Sequence, residues 1–307
     1  MTTLPPPVFV TGASGFIGEE VALGFRRAGH RVYGLVRSPE KAAWLAFNEI
    51  TPVVGDLLKP ASYIEVNYTA VDNAAVMIIL TTLSNVSTEH DPALVIFTSG
   101  IIVYKGMKSA SDPPIEEDTA ELDEDGLGFL AARIHNERTV LHAEQSTAGK
   151  VIGVVVRPAY VYGRKSRHFY DYFDQAANNN EVVGDPSIVW SEVHIDDLVA
   201  GYLLIASAPN EDIASQAFHF ADSSCNTNLE IAQAFAQAAG FQAQIRATST
   251  SLGELAAVGQ KIVVCSGKKA EEVLGWKPKK PEMLEEVDVM WERWRAAKRV
   301  EVIVQKR

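Results

Sequence analysis

The fold class this sequence predicts is α/β, a doubly wound parallel sheet, and three observations predict it. The first 37 residues read strand, glycine turn, helix, strand. Short β-branched runs recur at Thr51–Val54, Val95–Thr98 and Val151–Val156, with helical stretches between them. A chain of 307 residues, 47% hydrophobic and 22% charged, is long enough for a sizeable core and has an ordinary globular composition.

The opening unit carries the sharpest signal. Val8-Phe9-Val10 is a strand fragment, and Thr11-Gly12-Ala13-Ser14-Gly15-Phe16-Ile17-Gly18 follows at once. A helix is predicted over Glu19–Ala28, with Val21, Leu23 and Phe25 facing inward and Gly29 as its stop. Arg31–Val36 is the second strand. In this setting Gly12 permits a tight turn, Gly15 lets backbone approach a diphosphate, and Gly18 allows close helix–strand packing. The helix start offers unpaired N–H groups and the positive dipole end to phosphate. Gly12, Ser14, Gly15, Phe16, Ile17 and Gly18 are therefore the candidate dinucleotide cradle.

The second strand runs into Val36-Arg37-Ser38. A free ribose usually meets an acidic residue here, whereas arginine matches a ribose phosphate in charge and fork geometry. Arg37 thus points to NADP(H) over NAD(H), with NAD retained as the alternative. The plain reading is an exposed arginine beginning a helix. After the strand Thr51–Val54, Gly55-Asp56-Leu57 fits a turn toward an adenine edge, and Asp56 equally fits a helix cap.

Composition removes several classes. With 28 Lys+Arg against 39 Asp+Glu the formal charge is −11, which argues against nucleic acid or an anionic membrane as main partner. Two cysteines, Cys225 and Cys265, make neither a disulfide framework nor a four-thiolate zinc site. The seven histidines show no metal-ligand pairing, so no metal is expected. Residues 1–7 lack the pattern of a signal segment, and the apolar-leaning Ala74–Leu83 is far too short to span a bilayer. A cytoplasmic protein is the default expectation.

Over nearly its whole length the chain resembles an extended or atypical short-chain dehydrogenase/reductase of the NAD-dependent epimerase/dehydratase kind. The resemblance runs through Thr11–Gly18, Gly55-Asp56-Leu57, Val95-Ile96-Phe97-Thr98-Ser99-Gly100 with Val103-Tyr104, and Val156-Arg157-Pro158-Ala159-Tyr160-Val161-Tyr162-Gly163. It continues through Val193-His194-Ile195-Asp196-Asp197 and Leu274-Gly275-Trp276-Lys277-Pro278. It implies a Rossmann-type domain over residues 1–163, completed by 187–221. A smaller C-terminal substrate lobe over 164–186 and 222–307 would cover the nicotinamide end. It also implies Pro158 beside the cofactor.

The catalytic positions depart from that pattern. The resemblance implies a Ser or Thr, a Tyr and a Lys, the last two a helical turn apart so that they share a face. On the helix Leu127–Ala143 the tyrosine position falls on Phe129 and the lysine position on Arg133. Phenylalanine has no proton to give, and arginine keeps its proton while still able to hold a ribose hydroxyl. The serine position falls on Gly100, with Ser99 one place before it. A literal Tyr-x-x-x-Lys at Tyr104–Lys108 contains Gly106 and reads as a loop, although Tyr104 is the nearest phenol to the presumed site. Ser99, Tyr104 and Arg133 are the catalytic candidates. His135 and Asn136 point to a flank or a subunit contact, and His194 reads as structural.

Too few residues separate Asp56 from Asn67 for a full strand and crossover. Either the fourth strand is missing, the favoured reading, or Ala75–Leu80 supplies it and a helix is lost. Tyr170, Tyr172 and Phe173 line the lobe or form a packing face. The acidic stretch Asp112–Asp125 reads as a solvated loop. The tail Arg299–Val304 alternates like a strand, for an exposed edge or a partner subunit, or is a frayed end. A homodimer is one expectation.

Three functions compete on this reading. One is an NADP(H)-dependent oxidoreductase or epimerase on a small carbonyl or hydroxyl metabolite, with a rearranged proton donor. The others are a non-redox isomerase or cyclase on the same scaffold, and an inactive NADP-binding or sensor protein.

Overall fold

The computed structural model describes residues 5–56, 73–119, 121–126, 128–166, 169, 173–174, 181–183, 185–241, 246–248 and 261–305. Strands β1 (Val8–Val10), β2 (Val32–Val36) and β3 (Thr51–Val54) form a parallel sheet in the order β1-β2-β3. Val8 stands opposite Val32, and Tyr33 opposite Thr51. Helix α1 spans Phe16–Arg27, beginning before the expected Glu19 because Gly15 caps it directly out of the turn. Its end lies where the sequence places it, with Gly29 at φ +94°. Val21 and Phe25 are buried as expected, and Leu23 is half-buried. Helix α2 (Pro39–Phe47) starts behind Ser38, whose hydroxyl accepts from the Lys41 N–H at 3.4 Å, with Pro39 in the first turn where its missing N–H costs nothing.

A second parallel sheet has the order β4-β5-β9, from β4 (Ala93–Thr98), β5 (Val151–Pro158) and β9 (Gln216–Phe220). Every residue of β5 is buried, the mark of a strand covered on both faces. Helices α3 (Asn73–Val86), α4 (Gly128–Leu141) and the short α5 (Ala143–Ser146) accompany this sheet. Gly153 of β5 lies so close to α4 that a Cβ there would meet the Val140 carbonyl oxygen at 1.7 Å.

Ala75–Leu80 lies inside α3, which overturns the alternative that it supplies a fourth strand. Its apolar residues keep helical spacing and bury Val76 and Leu80 against Val140, Val151 and Val155. Among the described residues no strand falls between β3 and β4 in the chain, and β1 and β4 are each paired on one edge only. The resemblance sets the start of this helix at Asn67–Asn73, of which residues 67–72 lie outside the described residues. The open edges explain an anomaly in burial: all six residues of β4 are partly exposed, and Phe9 of β1 is 48% exposed.

The remaining strands form two further sheets. Strands β6 (Tyr160–Tyr162), β8 (Val189–His194) and β10 (Cys225–Thr227) form a mixed sheet, and β7 (Glu181–Val183) pairs in parallel with β11 (Arg246–Thr248). Helix α6 (Ile195–Ser207) packs beside α1, with Gly24 of α1 giving room to Val199. It is followed by α7 (Asn210–Ile213), α8 (Asn228–Ala238), α9 (Lys268–Leu274) and α10 (Val287–Gln305). Gly275 ends α9 at φ +66°, as its position predicts, and Trp276 buries its ring while donating Nε1–H to the Asp197 carbonyl at 2.9 Å.

Two sequence expectations are corrected here, and a third is decided between its two readings. The tail is the end of α10 and not a strand, because the turns before it set a helical period, with Trp291 stacked on Trp294 and Lys298 over Trp294. The acidic stretch is stitched to the core as well as solvated: Ile115 pairs with Cys265, and the Glu117 carboxylate accepts from the His219 N–H at 2.6 Å. Phe173 is fully buried between Phe235 and the Trp291–Trp294 pair, a packing role; Tyr170 and Tyr172 lie outside the described residues.

Candidate functional site

The glycine turn closes tightly. Gly15 N–H donates to the Gly12 carbonyl at 2.8 Å, and Gly12 takes φ +65°, a conformation that side-chain-bearing residues resist. Gly18 serves a different contact from the expected helix–strand packing. A Cβ on it would lie 2.3 Å from the Gly12 carbonyl oxygen, so the first turn of α1 rests on its own glycine turn. Gly15 caps α1 in extended backbone, φ −87°, and no side chain caps the helix. The N–H groups at the start of α1, beginning with Phe16 and Ile17, are thus aimed out of the turn with no capping side chain across them. Ser14 sits half-buried on the turn itself.

Arg37 follows the last residue of β2 and is half-buried. Gly55 N–H donates to the Val36 carbonyl at 3.1 Å, which draws the Gly55-Asp56 corner beside Arg37. Arg37 and Asp56 therefore share the strand-end edge from which the glycine turn also springs. Leu57 lies outside the described residues.

On the other half-sheet, Ser99 leaves β4 with its N–H bonded to the Val156 carbonyl at 2.7 Å. It is 6% exposed, and its hydroxyl has no hydrogen-bond partner among the described residues. Pro158 ends the neighbouring β5, in a register that sets Thr98 against Val156. Phe129 and Arg133 occupy the first turns of α4 on one half-buried face, while Leu130 and Ile134 fill the core. That face carries an aromatic ring and a guanidinium where the resemblance implies a phenol and an amine. Exposed His135 fits a flank; Asn136 is fully buried, contrary to expectation.

Tyr104 is corrected from proton donor to core linker. It is fully buried, Arg157 Nη1 donates to its oxygen at 2.7 Å, and that oxygen stands 2.6 Å from His219 Nε2. Burial pushes the phenol well above its ordinary range, against the pull of Arg157. No helix joins it to Lys108: the short 3₁₀ turn Ile101–Val103 ends there, Gly106 is at φ +93°, and Met107 pairs with Ile262.

The surrounding network carries no sequence motif. Arg157 donates to Glu137 through Nε at 3.1 Å and Nη2 at 2.6 Å, both side chains buried. His219 lies within 3.2 Å of the Ser266 carbonyl through Nδ1. A carbonyl only accepts, so the proton is on Nδ1, and Nε2 receives the Tyr104 hydroxyl. Burial and the nearby Arg157 depress the imidazole to about 3, which keeps it neutral. The signal was present as the buried-looking Arg157, a charge inside a strand that demands a partner.

His194 is structural, as expected. It caps α6 by accepting from the Asp196 N–H at 3.0 Å, and its Nε2 lies 3.5 Å from Glu286. Nearby in the chain, Ser224 Oγ and Asn226 donate to the buried Glu192 at 3.1 and 3.0 Å, and Ser224 also reaches Asp222. Burial raises the Glu192 carboxyl to about 8, with Asp222 adding to the rise. Among the described residues no group of three or more His, Cys, Asp or Glu gathers to hold a metal, and no helix is long and apolar enough to cross a membrane.

The residues present fit a dinucleotide: a turn whose packing excludes any Cβ at Gly18, and a helix start with no capping side chain. A sequence model of the NAD dependent epimerase/dehydratase family matches residues 8–221. An uncharacterized protein of Schizosaccharomyces pombe is 54% identical over 50 residues, 16% of this chain and 17% of that protein, so the match spans under a fifth of the relative. Among solved structures, an epimerase from Methanothermobacter thermautotrophicus superposes with a TM-score of 0.74 at 17% identity, covering 98% of this chain and 95% of that one. A dTDP-glucose 4,6-dehydratase from Bacillus anthracis, solved with NAD, gives 0.71 at 14% identity over 94% and 97%. At these identities the likeness is one of fold.

Proposed function

The chain belongs to the NAD dependent epimerase/dehydratase family, and from that premise we propose that it binds NADP(H) and acts on a small carbonyl or hydroxyl metabolite with a non-standard proton donor. The observation that carries this is the glycine turn, with Gly18 packed on the Gly12 carbonyl and the start of α1 left uncapped. When bound, the nicotinamide supplies reversible two-electron redox chemistry.

The chain's own residues divide the remaining work. Backbone N–H groups at Phe16 and Ile17 hold the diphosphate, helped by the positive end of α1. Arg37 takes the 2′-phosphate and sets the preference for NADP(H), while Asp56 faces the adenosine. Arg133 holds a ribose hydroxyl as a donor that never releases its proton. With Tyr104 sealed in the core and Phe129 at the phenol position, the proton comes from Ser99 or from water that Ser99 orients. Losing positioned acid–base help costs ~10²–10⁴ in rate, so slow turnover by proximity remains within reach.

Phe129 by itself favours a second reading, binding without turnover. One experiment decides between them: the protein is mixed with NADPH and a panel of aldehydes and ketones while nicotinamide absorbance is followed. Consumption above the protein-free rate supports the enzyme. Tight NADPH binding with no consumption supports the binding protein. In either case Arg37→Ala is expected to erase the preference for NADPH over NADH, and an unchanged preference removes Arg37 from the cofactor site.

A further inference from the structure

Glu19 in the first turn of α1 and Glu20 directly after it place two carboxylates near the helix start to which the diphosphate is assigned. Acidic residues at a helix N-terminus stabilise the helix, but they compete with a bound anion for the same positive dipole. Left uncompensated they would weaken diphosphate binding. Two cations from a distant part of the chain meet them. Lys165 pairs with Glu19 and lies 4.9 Å from the ring centroid of Trp44 on α2. Arg164 reaches to 3.8 Å from Glu20, which is only 5% exposed, and holds Asp196 of α6 through a two-pronged hydrogen bond at 2.5 and 3.1 Å.

The backbone that delivers these cations is strained. Arg164 sits at φ +43° without being glycine, directly after Gly163 at φ +88°. A Cβ on Gly163 would strike His194 Nε2 at 2.3 Å. A left-handed conformation is unfavourable for an arginine and is held here by the ion pairs made from it. Asp196 is held in turn by Lys280 at 2.9 Å, and Arg293 lies within electrostatic reach of Lys165.

We propose that Lys165 and Arg164 are positioning residues for the cofactor: by neutralising Glu19 and Glu20 they make the start of α1 able to accept a dinucleotide diphosphate. This rests on the binding reading above. It differs from a direct phosphate contact because the lysine acts through the glutamate. An uncompensated carboxylate near the helix start repels a phosphate bound there, and at intermediate dielectric that repulsion changes affinity by about fivefold.

The test is calorimetric titration of NADPH at low salt into four proteins: the parent, Lys165→Met, Glu19→Gln and the pair combined. Methionine keeps an apolar stem over Trp44 and removes only the charge, and thermal midpoints verify that each variant is folded. Lys165→Met is expected to weaken binding about fivefold at low salt and less at high salt. Adding Glu19→Gln is expected to restore affinity to within about twofold of the parent. A double variant as weak as Lys165→Met, or a Lys165→Met that binds like the parent, overturns the proposal. If the parent itself fails to bind NADPH, the binding reading falls first and this inference falls with it.

Discussion

The phenol oxygen of Tyr104 stands 2.6 Å from Nε2 of His219 and receives a hydrogen bond from Arg157 at 2.7 Å. Its one proton is therefore committed to the imidazole, inside the core. Tyr104→Phe strands a guanidinium donor and a ring nitrogen in a buried site, at a cost of about 1–3 kcal/mol. The expected outcome is a lower urea midpoint with NADPH affinity and turnover per folded molecule unchanged. Loss of turnover at unchanged stability would return Tyr104 to the chemistry.

Two buried groups set opposite limits on stability with pH. His219 titrates near 3 in the fold against 6.5 unfolded, so the unfolded chain gains a proton that the fold refuses; stability is lost as pH falls through that window. Glu192 titrates near 8 against 4.5, so the fold prefers it protonated, and stability is lost as pH rises from about 4.5 to about 8. Each group alone contributes a slope of about 1.4 kcal/mol per pH unit inside its window. Denaturant midpoints across pH are expected to fall on both sides of a broad maximum. Glu192→Gln should flatten the alkaline side alone, and an unchanged alkaline limb would mean that Glu192 ionises freely.

Phe129 and Arg133 share a half-buried face of α4. Restoring a phenol and an amine with Phe129→Tyr and Arg133→Lys is expected to raise carbonyl reduction by ~10²-fold or more, if those positions face the nicotinamide. The readout is NADPH consumption at saturating substrate. No gain would show that the face is turned away from the reacting centre.

Much of this was legible in the sequence because it is local. A glycine turn and the helix stop at Gly29 each depend on a few neighbouring residues, and each stands where its pattern puts it. The pairing of Glu137 and Arg157 with Tyr104 and His219 spans more than a hundred residues and leaves no periodic trace; only a charge within an apolar strand hinted at it. The same distance hid the ion pairs of Lys165 and Arg164 with α1. The tail misled for the opposite reason: the short alternation over Arg299–Val304 is weaker than the helix already running into it.

Gly15 offers the most direct test of the central claim, that backbone at the start of α1 grips a diphosphate. Its φ of −87° suits any residue, and aspartate is a favoured helix cap, so Gly15→Asp should keep or raise the thermal midpoint. The same carboxylate points into the space assigned to phosphate. Calorimetry with NADPH is predicted to show binding by the parent and at least about a tenfold loss in Gly15→Asp. Equal affinity in the two proteins would contradict the account.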